Sequence, residues 1–398
     1  MPESYDVAVV GLGAMGSAVA CHLARRGQRV LGLDRFRPPH TNGSSHGQTR
    51  IIREAYFEDP LYVPLVQRAY ELWAELENRS GRNLLETTGG LMIGRRESAV
   101  VSGARRSAEL HRLPHEVLTA AEVIHRFPAL RPADDMVAVW EPRAGVLFPE
   151  ACIETHLALA QADGAELRCD ETVTSWQAEG DGVTVTTSSG RYHAGQLLLT
   201  AGSWIASLVP ELARTFTVER QVLYWFQPRA HPANFSPDRC PIHIWEAAPH
   251  HHFYGCPDFG HGVKVAFHHQ GETTHPDRVR REVDDPEIAA IRKILETHLP
   301  DAAGPLRSAE TCLYTNTADE HFWINRHPQH AQVLIASPCS GHGFKFSSVI
   351  GEILADLLTT GNSRFDLSLF GRRKARAAQS EAQLSSGRTK WRQGHEAH

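Results

Sequence analysis

The sequence has no paired-cysteine motif, no long apolar run and no excess of charge of one sign. Its seven cysteines are spread over 398 residues without a C-x-x-C pair, which argues against a zinc ribbon or a disulfide framework and predicts a reducing compartment. No apolar run approaches the roughly 18 residues that a membrane span needs, and the N-terminus contains Glu3 rather than a basic segment. We therefore expect a cytoplasmic protein without a membrane partner.

The charges are nearly balanced. Lys and Arg together number 41 and Asp and Glu 46, a net charge of -5, which argues against nucleic acid as a partner. Hydrophobic residues make up 41% and charged residues 22%, values typical of packed globular chains. At about 150 residues per domain the length predicts two or three domains, and we expect two. The expected partner is a small molecule.

Histidines cluster at His250–His252, with His261 and His269 nearby. Consecutive histidines in a strand point to opposite faces, and no acid or cysteine completes a clean ligand spacing. We assign these residues to a loop and expect no metal.

The first motif along the chain is a strand, a glycine turn and a helix. A valine-rich run, Tyr5–Val10, is followed by the turn Gly11–Gly16 and by an alanine-rich stretch that stops at Gly27. A second buried strand is predicted over Arg29–Leu33, and Asp34 comes directly after it. This order, with an acid about 20 residues after the last glycine, is typical of a dinucleotide-binding unit.

Each residue type in this motif meets a physical demand of a dinucleotide. Gly11 permits the tight turn, Gly13 lets backbone amides approach a pyrophosphate, and Gly16 allows close packing of the helix. The helix N-terminus offers its positive dipole end, and Asp34 can accept from a ribose hydroxyl. A glycine-rich structural turn is the alternative. The motif alone leaves both NAD and FAD open.

Other apolar patterns predict the rest of the fold. Residues 56–77 have apolar positions at spacings of three and four, typical of an amphipathic helix. The runs 196–202 and 333–337 are typical of further strands of a parallel sheet, the second leading into a helix through Leu358. Residues 218–301 alternate apolar and polar positions, which indicates antiparallel strands. We predict an α/β fold: a Rossmann-type dinucleotide-binding domain with a parallel sheet, plus an interleaved α+β domain with a mainly antiparallel sheet.

These patterns predict a discontinuous division of the chain. The dinucleotide-binding domain is expected over residues 1–85, 150–217 and 312–371, and the substrate domain over residues 86–149 and 218–311. Residues 372–398 contain seven basic residues against two acidic ones, and we expect a solvated extension there.

A polar loop, Gly43–Arg53, follows Asp34. Its arginines Arg50 and Arg53 are three residues apart, the spacing at which side chains share one face of a helix. Two interpretations are open. The arginines form a surface pair, or one lies over the cofactor while the other forks onto a substrate carboxylate.

Two later segments complete a pattern with this loop: Thr311–Phe322, which contains Thr-Cys-Leu-Tyr-Thr, and Ser340–Phe346, which contains Gly-His-Gly-Phe-Lys. Together the three segments closely resemble the monomeric sarcosine oxidase and N-methyltryptophan oxidase family of flavoproteins. The resemblance extends in order from the N-terminal glycine turn to about Gly371. It implies that the cofactor is FAD.

The resemblance further implies covalent attachment of FAD, through a thioether between Cys312 and the flavin 8α-methyl group. A thiolate must add to an electron-poor flavin, so Cys312 needs an electropositive setting that lowers its pKa. A small buried hydrophobic residue is the alternative for any single cysteine. The residues that the resemblance implies for cofactor binding are Gly11, Gly13, Ala14, Met15, Gly16, Asp34, Ser45, His46, Thr49, Arg50, Val173, Ala201, Gly202, Cys312, Gly341, His342, Gly343 and Lys345.

The same resemblance implies a substrate site. Arg53 and Lys345, here called the anion clamp, match the arginine and lysine that hold the substrate carboxylate. Tyr254, Tyr314 and His268 match the side chains that lie against the substrate. Aromatic faces accept a methylated amine through cation–π and apolar contacts.

Lys264 interrupts an apolar strand, a pattern that by itself predicts a solvated side chain. The resemblance instead implies a position near the flavin, where its ammonium stabilises superoxide as dioxygen is reduced. It also implies catalytic roles for Arg50, Tyr254, Tyr314 and His268.

The implied function is a flavin-dependent oxidase of secondary amino acids, either N-methyl or cyclic, that oxidises the C–N bond to an imine and reduces O2 to hydrogen peroxide. An N-methyl substrate would give formaldehyde and the demethylated amino acid. An NAD-dependent dehydrogenase and a non-catalytic flavin sensor are the alternatives. We expect a monomer or a weak homo-oligomer. Departures from the family pattern at Pro338-Cys339 and around Ile244 and Trp245 leave the substrate size open.

Overall fold

The computed structural model describes residues 4–371. The segment 372–398, for which the sequence predicts a solvated extension, lies outside the described residues. The strands are, in chain order, β1 (Ser4–Val10), β2 (Val30–Leu33), β3 (Arg50–Ile52), β4 (Leu85–Thr87), β5 (Gly90–Arg95), β6 (Glu116–Thr119), β7 (Met136–Glu141), β8 (Gly145–Leu147), β9 (Glu166–Arg168), β10 (Val173–Glu179), β11 (Gly182–Thr187), β12 (Arg191–Leu199), β13 (Thr217–Phe226), β14 (Ile242–Ala248), β15 (His251–Cys256), β16 (Val263–His268), β17 (Leu306–Asn316), β18 (Trp323–Arg326) and β19 (Val333–Ser337). The helices are α1 (Ala14–Arg25), α2 (Val63–Ser80), α3 (Ala99–His111), α4 (Ala120–Arg126), α5 (Pro149–Ala162), α6 (Ile205–Leu208), α7 (Asp285–His298) and α8 (Ser347–Thr359).

In the described part of the chain, the first sheet is built on five parallel strands. β2 and then β9 lie on one side of β1, and β12 and then β19 on the other. The hairpin β10–β11 pairs antiparallel with β12, and β18 with β19. Every residue of β2 and β19 is buried, as expected for parallel strands covered on both faces. The predicted parallel sheet is confirmed.

The turn between β1 and α1 depends on glycine. Gly11 has a φ of +91°, and a Cβ on Gly16 would lie 1.8 Å from the Gly11 carbonyl oxygen, so neither position accepts a side chain. The helix ends at Arg25, and Gly27, with a φ of +77°, turns the chain toward β2. α1 packs against α5 and α8. The strand, turn and helix predicted from the sequence are therefore present.

The second sheet has the order β17-β13-β16-β15-β14-β5-β7-β6. Its neighbouring strands are antiparallel except β14 and β5. The mainly antiparallel sheet is confirmed, but the strand pattern predicted up to residue 301 is wrong over α7. Asp284 and Glu287 form a capping box there, and Ile291 and Leu295 are buried, so the segment is helical. The division into two discontinuous domains stays a prediction.

A small third sheet, β3-β8-β4, contradicts the helical spacing assigned to Arg50 and Arg53. Arg50–Ile52 is extended and pairs antiparallel with Gly145–Leu147. Pairing with a distant segment decides this conformation, which local spacing cannot reveal.

The histidine cluster is also more ordered than predicted. The loop assignment holds for His250, which has a φ of +63°, and for His261 and His269, which lie just outside β16. β15 begins at His251, so the assignment is wrong for His251 and His252. Pairing of β15 with β14 and β16 draws these two residues into the sheet.

The amphipathic helix predicted over 56–77 is present as α2 but begins later. Asp59 caps a short 3-10 turn at Pro60–Tyr62, and α2 follows from Val63. Its predicted apolar stripe is buried. Within residues 4–371, no helix combines the length and the apolar character that crossing a membrane requires.

Candidate active site

A cavity lies between the carboxyl ends of the parallel strands and the second sheet, the place where α/β sheets bind ligands. Most of the predicted site residues line it. These are Gly11, Gly13, Ala14, Met15, Asp34, Ser45, Arg50, Arg53, Val173, Ala201, Gly202, Tyr254, His268, Cys312, Tyr314, Gly341, His342, Gly343 and Lys345. Four others, Gly16, His46, Thr49 and Lys264, are not among the lining residues.

The dinucleotide end of the cavity is formed by the glycine turn and Asp34. Gly13, Ala14 and Met15, at the start of α1, line the cavity, so the positive end of this helix faces it. The two carboxylate oxygens of Asp34 accept from the backbone N–H groups of Leu12, at 2.7 Å, and Phe36, at 2.8 Å. A close-packed turn, a helix N-terminus and a fixed acid fit the pyrophosphate and ribose of FAD.

The sequence did not indicate three side chains at the mouth of this end. Trp204 Nε1 and Arg35 Nη1 donate to the same Asp277 oxygen, at 2.8 and 2.6 Å. The Arg35 guanidinium lies 5.9 Å from the centre of the Trp204 ring. Asp277 lies between β16 and β17 of the second sheet, whereas Arg35 and Trp204 follow strands of the first sheet. These contacts therefore join the two parts of the molecule beside the cavity.

Cys312, on β17, lies in an electropositive setting. Its Sγ is 3.5 Å from Arg50 Nη2. Burial raises the pKa of this thiol, but nearby His46 and the charges of Arg50 and Lys264 outweigh that effect and lower the pKa to about 7. Burial opposes a charged His46, yet Cys312 and Glu310 raise its pKa to about 9. The thiol is therefore poised to ionise near neutral pH.

Lys264 is buried behind the loop that contains Gly47 and Thr49. Its Nζ donates to the Gly47 and Thr49 carbonyl oxygens, at 2.6 and 2.8 Å, and to Thr49 Oγ1 at 3.2 Å. The solvated orientation suggested by the strand pattern is therefore wrong. Burial, together with the charge of Arg50, lowers the pKa of Lys264 to about 7.

The anion clamp lines the cavity beside the Gly341–Lys345 turn. Arg53 Nη2 donates to both oxygens of Glu58, at 2.8 and 2.6 Å, while its buried Nε has no hydrogen-bond partner among the described residues. Lys345 Nζ donates to the His342 carbonyl oxygen at 2.8 Å. Burial, together with the charge of Arg53, lowers the pKa of Lys345 to about 7. Two buried cations with donor capacity to spare make this part of the cavity suited to an anion.

Aromatic side chains line the same cavity as the anion clamp. His268 Nδ1 lies 3.1 Å from the Tyr314 hydroxyl, and Tyr254 lines the cavity beside them. A Cβ on Gly341 would come within 2.6 Å of the Tyr314 ring, so this turn must be glycine for the ring to keep its place. Ile244 also lines the cavity, whereas Trp245 lies in the core of the second sheet.

Two glutamates that the sequence did not indicate support these groups. Glu58 pairs with Arg53, and Glu150 accepts from the backbone N–H groups of Gly47, at 2.7 Å, and Gln48, at 3.1 Å. Burial raises the pKa of Glu58, but the charge of Arg53 outweighs it and lowers the pKa. Within residues 4–371, no cluster of three or more His, Cys, Asp or Glu side chains could hold a metal ion.

A dinucleotide turn and a pair of buried cations thus share one cavity, an arrangement typical of an oxidoreductase that binds its cofactor and its substrate side by side. Comparisons with known proteins are more specific. Residues 6–357 match the FAD dependent oxidoreductase family. Since this match covers most of the chain, the protein belongs to that family.

Individual relatives agree with this assignment. The chain is 48% identical over 382 residues to monomeric sarcosine oxidase of Streptomyces avermitilis, and the match covers 95% of this chain and 100% of that protein. It is 35% identical over 373 residues to N-methyl-L-tryptophan oxidase of Salmonella heidelberg, covering 92% and 98% of the two chains. The structure of NikD, described as an unusual amino acid oxidase, matches with a TM-score of 0.81 at 27% identity and covers 94% and 98%.

The resemblance inferred from the sequence is therefore confirmed. The protein is an FAD-dependent oxidoreductase, and the match does not support an NAD-dependent dehydrogenase.

Proposed function

We propose that this enzyme oxidises small secondary amino acids, N-methyl or cyclic, with FAD and O2, and that N-methylglycine (sarcosine) is its best substrate. The observation that most supports this is the anion clamp, two buried cations in the cavity that contains the FAD-binding turn. Ile244 and Phe57 also line the cavity, and their bulk favours a substrate without a large side chain. The names of the relatives at 48% and 35% identity support N-methyl amino acids as the class.

The residues of the chain divide the work of this reaction. FAD, when bound, supplies the two-electron oxidant for the C–N bond and the reductant for O2. Arg53 Nε and the Lys345 ammonium bind the substrate carboxylate, while Tyr254 and Tyr314 contact the methylated amine. Nearby cations lower the pKa of the substrate amine, which favours its neutral, reactive form. We further propose that Cys312 attaches FAD covalently and that Arg50 and Lys264 place positive charge beside it.

A substrate panel tests this function. Sarcosine, N-methyltryptophan, pipecolate, proline and dimethylamine would be added to the holoenzyme in air, and hydrogen peroxide and formaldehyde measured. We expect peroxide from sarcosine above all, formaldehyde only from N-methyl substrates, and almost no turnover of dimethylamine, which lacks the carboxylate. Binding of the amino acids with neither flavin reduction nor peroxide release would indicate a non-catalytic sensor instead. The cytoplasmic location and the monomeric or weakly associated state stay predictions.

Replacing Arg53 with lysine tests the anion clamp. Lysine keeps the charge but loses the planar fork and the Nε donor, so the binding free energy of a carboxylate ligand should fall by about 1.5–3 kcal/mol. The measurement is a titration of the holoenzyme with acetate, followed by flavin absorbance, with neutral acetamide as the control ligand. Equal acetate affinity in Arg53→Lys and the parent enzyme would rule out this role.

A further inference from the structure

The turn 53–58, which contains the arginine of the anion clamp, is held from behind by a buried carboxylate. Glu141, the last residue of β7, accepts from the backbone N–H of Glu54 at 2.5 Å and of Ala55 at 2.8 Å, one bond to each oxygen. Its side chain is 1% exposed and does not line the cavity, so it cannot touch a ligand. Nothing in the proposed chemistry requires a carboxylate at this position.

The contacts of Arg53 show what this arrangement controls. Arg53 Nη1 donates to the Ala55 carbonyl oxygen at 3.0 Å, so Ala55 is held by Glu141 through its N–H and itself holds Arg53 through its C=O. The guanidinium also lies 4.2 and 4.1 Å from the ring centres of Tyr56 and Phe57. Arg53 is therefore folded back onto its own turn, and its orientation follows that of the turn.

The charge of the Glu141 carboxylate depends on its contacts with the turn 53–58. Burial above all raises the pKa of Glu141 to about 7, and the neighbouring Glu54 raises it too, whereas the N–H groups of Glu54 and Ala55 and the charge of Arg53 lower it. A buried carboxylate keeps its charge only while such partners are in place. Glu141 and the turn consequently stabilise each other.

We propose that Glu141 is a positioning residue for the anion clamp: by fixing the Glu54 and Ala55 peptides it sets the direction in which Arg53 presents its donors to a carboxylate. This inference rests on the proposed function, because it takes the clamp to bind a carboxylate. It predicts that loss of Glu141 harms recognition of the carboxylate selectively.

The test compares Glu141→Gln with Glu54→Gln in the holoenzyme. Glutamine at 141 keeps one acceptor but turns an NH2 group toward a backbone N–H. Glu54→Gln removes a neighbouring buried charge, whose own contact is Arg143 at 3.5 Å, without touching either bond to the turn. Acetate and acetamide would be titrated by flavin absorbance and by the ligand-induced rise in unfolding temperature. We expect roughly tenfold weaker acetate binding in Glu141→Gln, unchanged acetamide binding, and an acetate affinity within about twofold of the parent in Glu54→Gln.

Three outcomes would overturn the proposal: equal acetate affinity in Glu141→Gln and the parent, equal losses in both variants, or equal losses for both ligands. If Glu141→Gln cannot be purified folded, Glu141→Asp, which retracts the carboxylate by one methylene, must show the same selective loss. A parent enzyme that binds acetate no better than acetamide would refute the anion clamp itself, and with it the proposed function. If the parent binds acetate better than acetamide and one of the three outcomes above is found, only the role of Glu141 fails and the proposed function stands, so the two failures are distinguishable.

Discussion

In a Cys312→Ser variant we expect FAD to leave the protein when it is denatured in acid, whereas the parent protein should stay yellow. Serine preserves the size and the polarity of the side chain but does not ionise near pH 7. The Cys312 thiol does, because His46 and Arg50 outweigh the effect of burial and lower its pKa to about 7. Without a thiolate no thioether can form. The intact mass of the parent should exceed the mass of its polypeptide by the mass of one FAD, minus the hydrogens lost when the thioether forms. The intact mass of the variant should equal the mass of its polypeptide alone.

Cys339 provides a matched control, because it also lines the cavity but its pKa is not lowered by a cation, as that of Cys312 is by Arg50 and Lys264. Burial raises its thiol pKa to about 11, so it should be unreactive, and Cys339→Ser should remain yellow. A yellow acid pellet from Cys312→Ser, or a colourless one from the parent, would contradict covalent attachment at this cysteine.

The parts of the fold that the sequence predicted correctly are those with local causes. Gly11 and Gly16 are required by contacts within one turn, and the strand and helix beside them are short-range patterns. The runs ending at Gly202 and Ser337 are apolar enough to indicate buried parallel strands. The alternating pattern of the preceding strands predicts further strand over α7, although Asp284 and Glu287 give a capping-box signal for a helix there.

The errors elsewhere come from long-range pairing. The spacing of Arg50 and Arg53 indicates a shared helix face, but Arg50 is in a strand whose partner, β8, lies almost a hundred residues later in the chain. The support that Glu141 gives to the turn has the same character, since 87 residues separate it from Glu54. No local pattern marks such a residue, so composition and spacing could not have found it.

The glycine turn and Asp34 are predicted by a local pattern, whereas the other site residues are predicted through the family resemblance. The strand containing Lys264 by itself favoured a solvated lysine, yet the side chain is 2% exposed. A motif shared with relatives can indicate that a lysine is buried, whereas the alternation of apolar and polar residues along a strand cannot. The position of Lys264 beneath Gly47 and Thr49, rather than at the cavity surface, was indicated by neither.

Replacing Lys264 with methionine should slow reoxidation of the reduced enzyme by O2 roughly 100-fold or more. Methionine keeps the unbranched stem and removes the ammonium. The negative charge that develops on dioxygen then lacks a nearby buried cation, and a cation stabilises such a charge most in surroundings of low polarity. Reduction by substrate under anaerobic conditions should change much less. Stopped-flow absorbance measures the two half-reactions separately, and during turnover in air the variant should accumulate in its bleached form.

The matched control is Lys345→Met, which removes the other buried lysine whose pKa burial lowers to about 7. That variant should lose carboxylate affinity and retain rapid reoxidation, the reverse of Lys264→Met. The pH dependence gives a second criterion: because burial and Arg50 lower the pKa of Lys264 to about 7, the ammonium is lost as the pH rises through 7. Reoxidation should therefore slow with rising pH in the parent and in Lys345→Met, and be independent of pH in Lys264→Met. Equal slowing of both half-reactions in Lys264→Met would instead assign this lysine to holding the Gly47–Thr49 loop, through the three hydrogen bonds that its Nζ donates there.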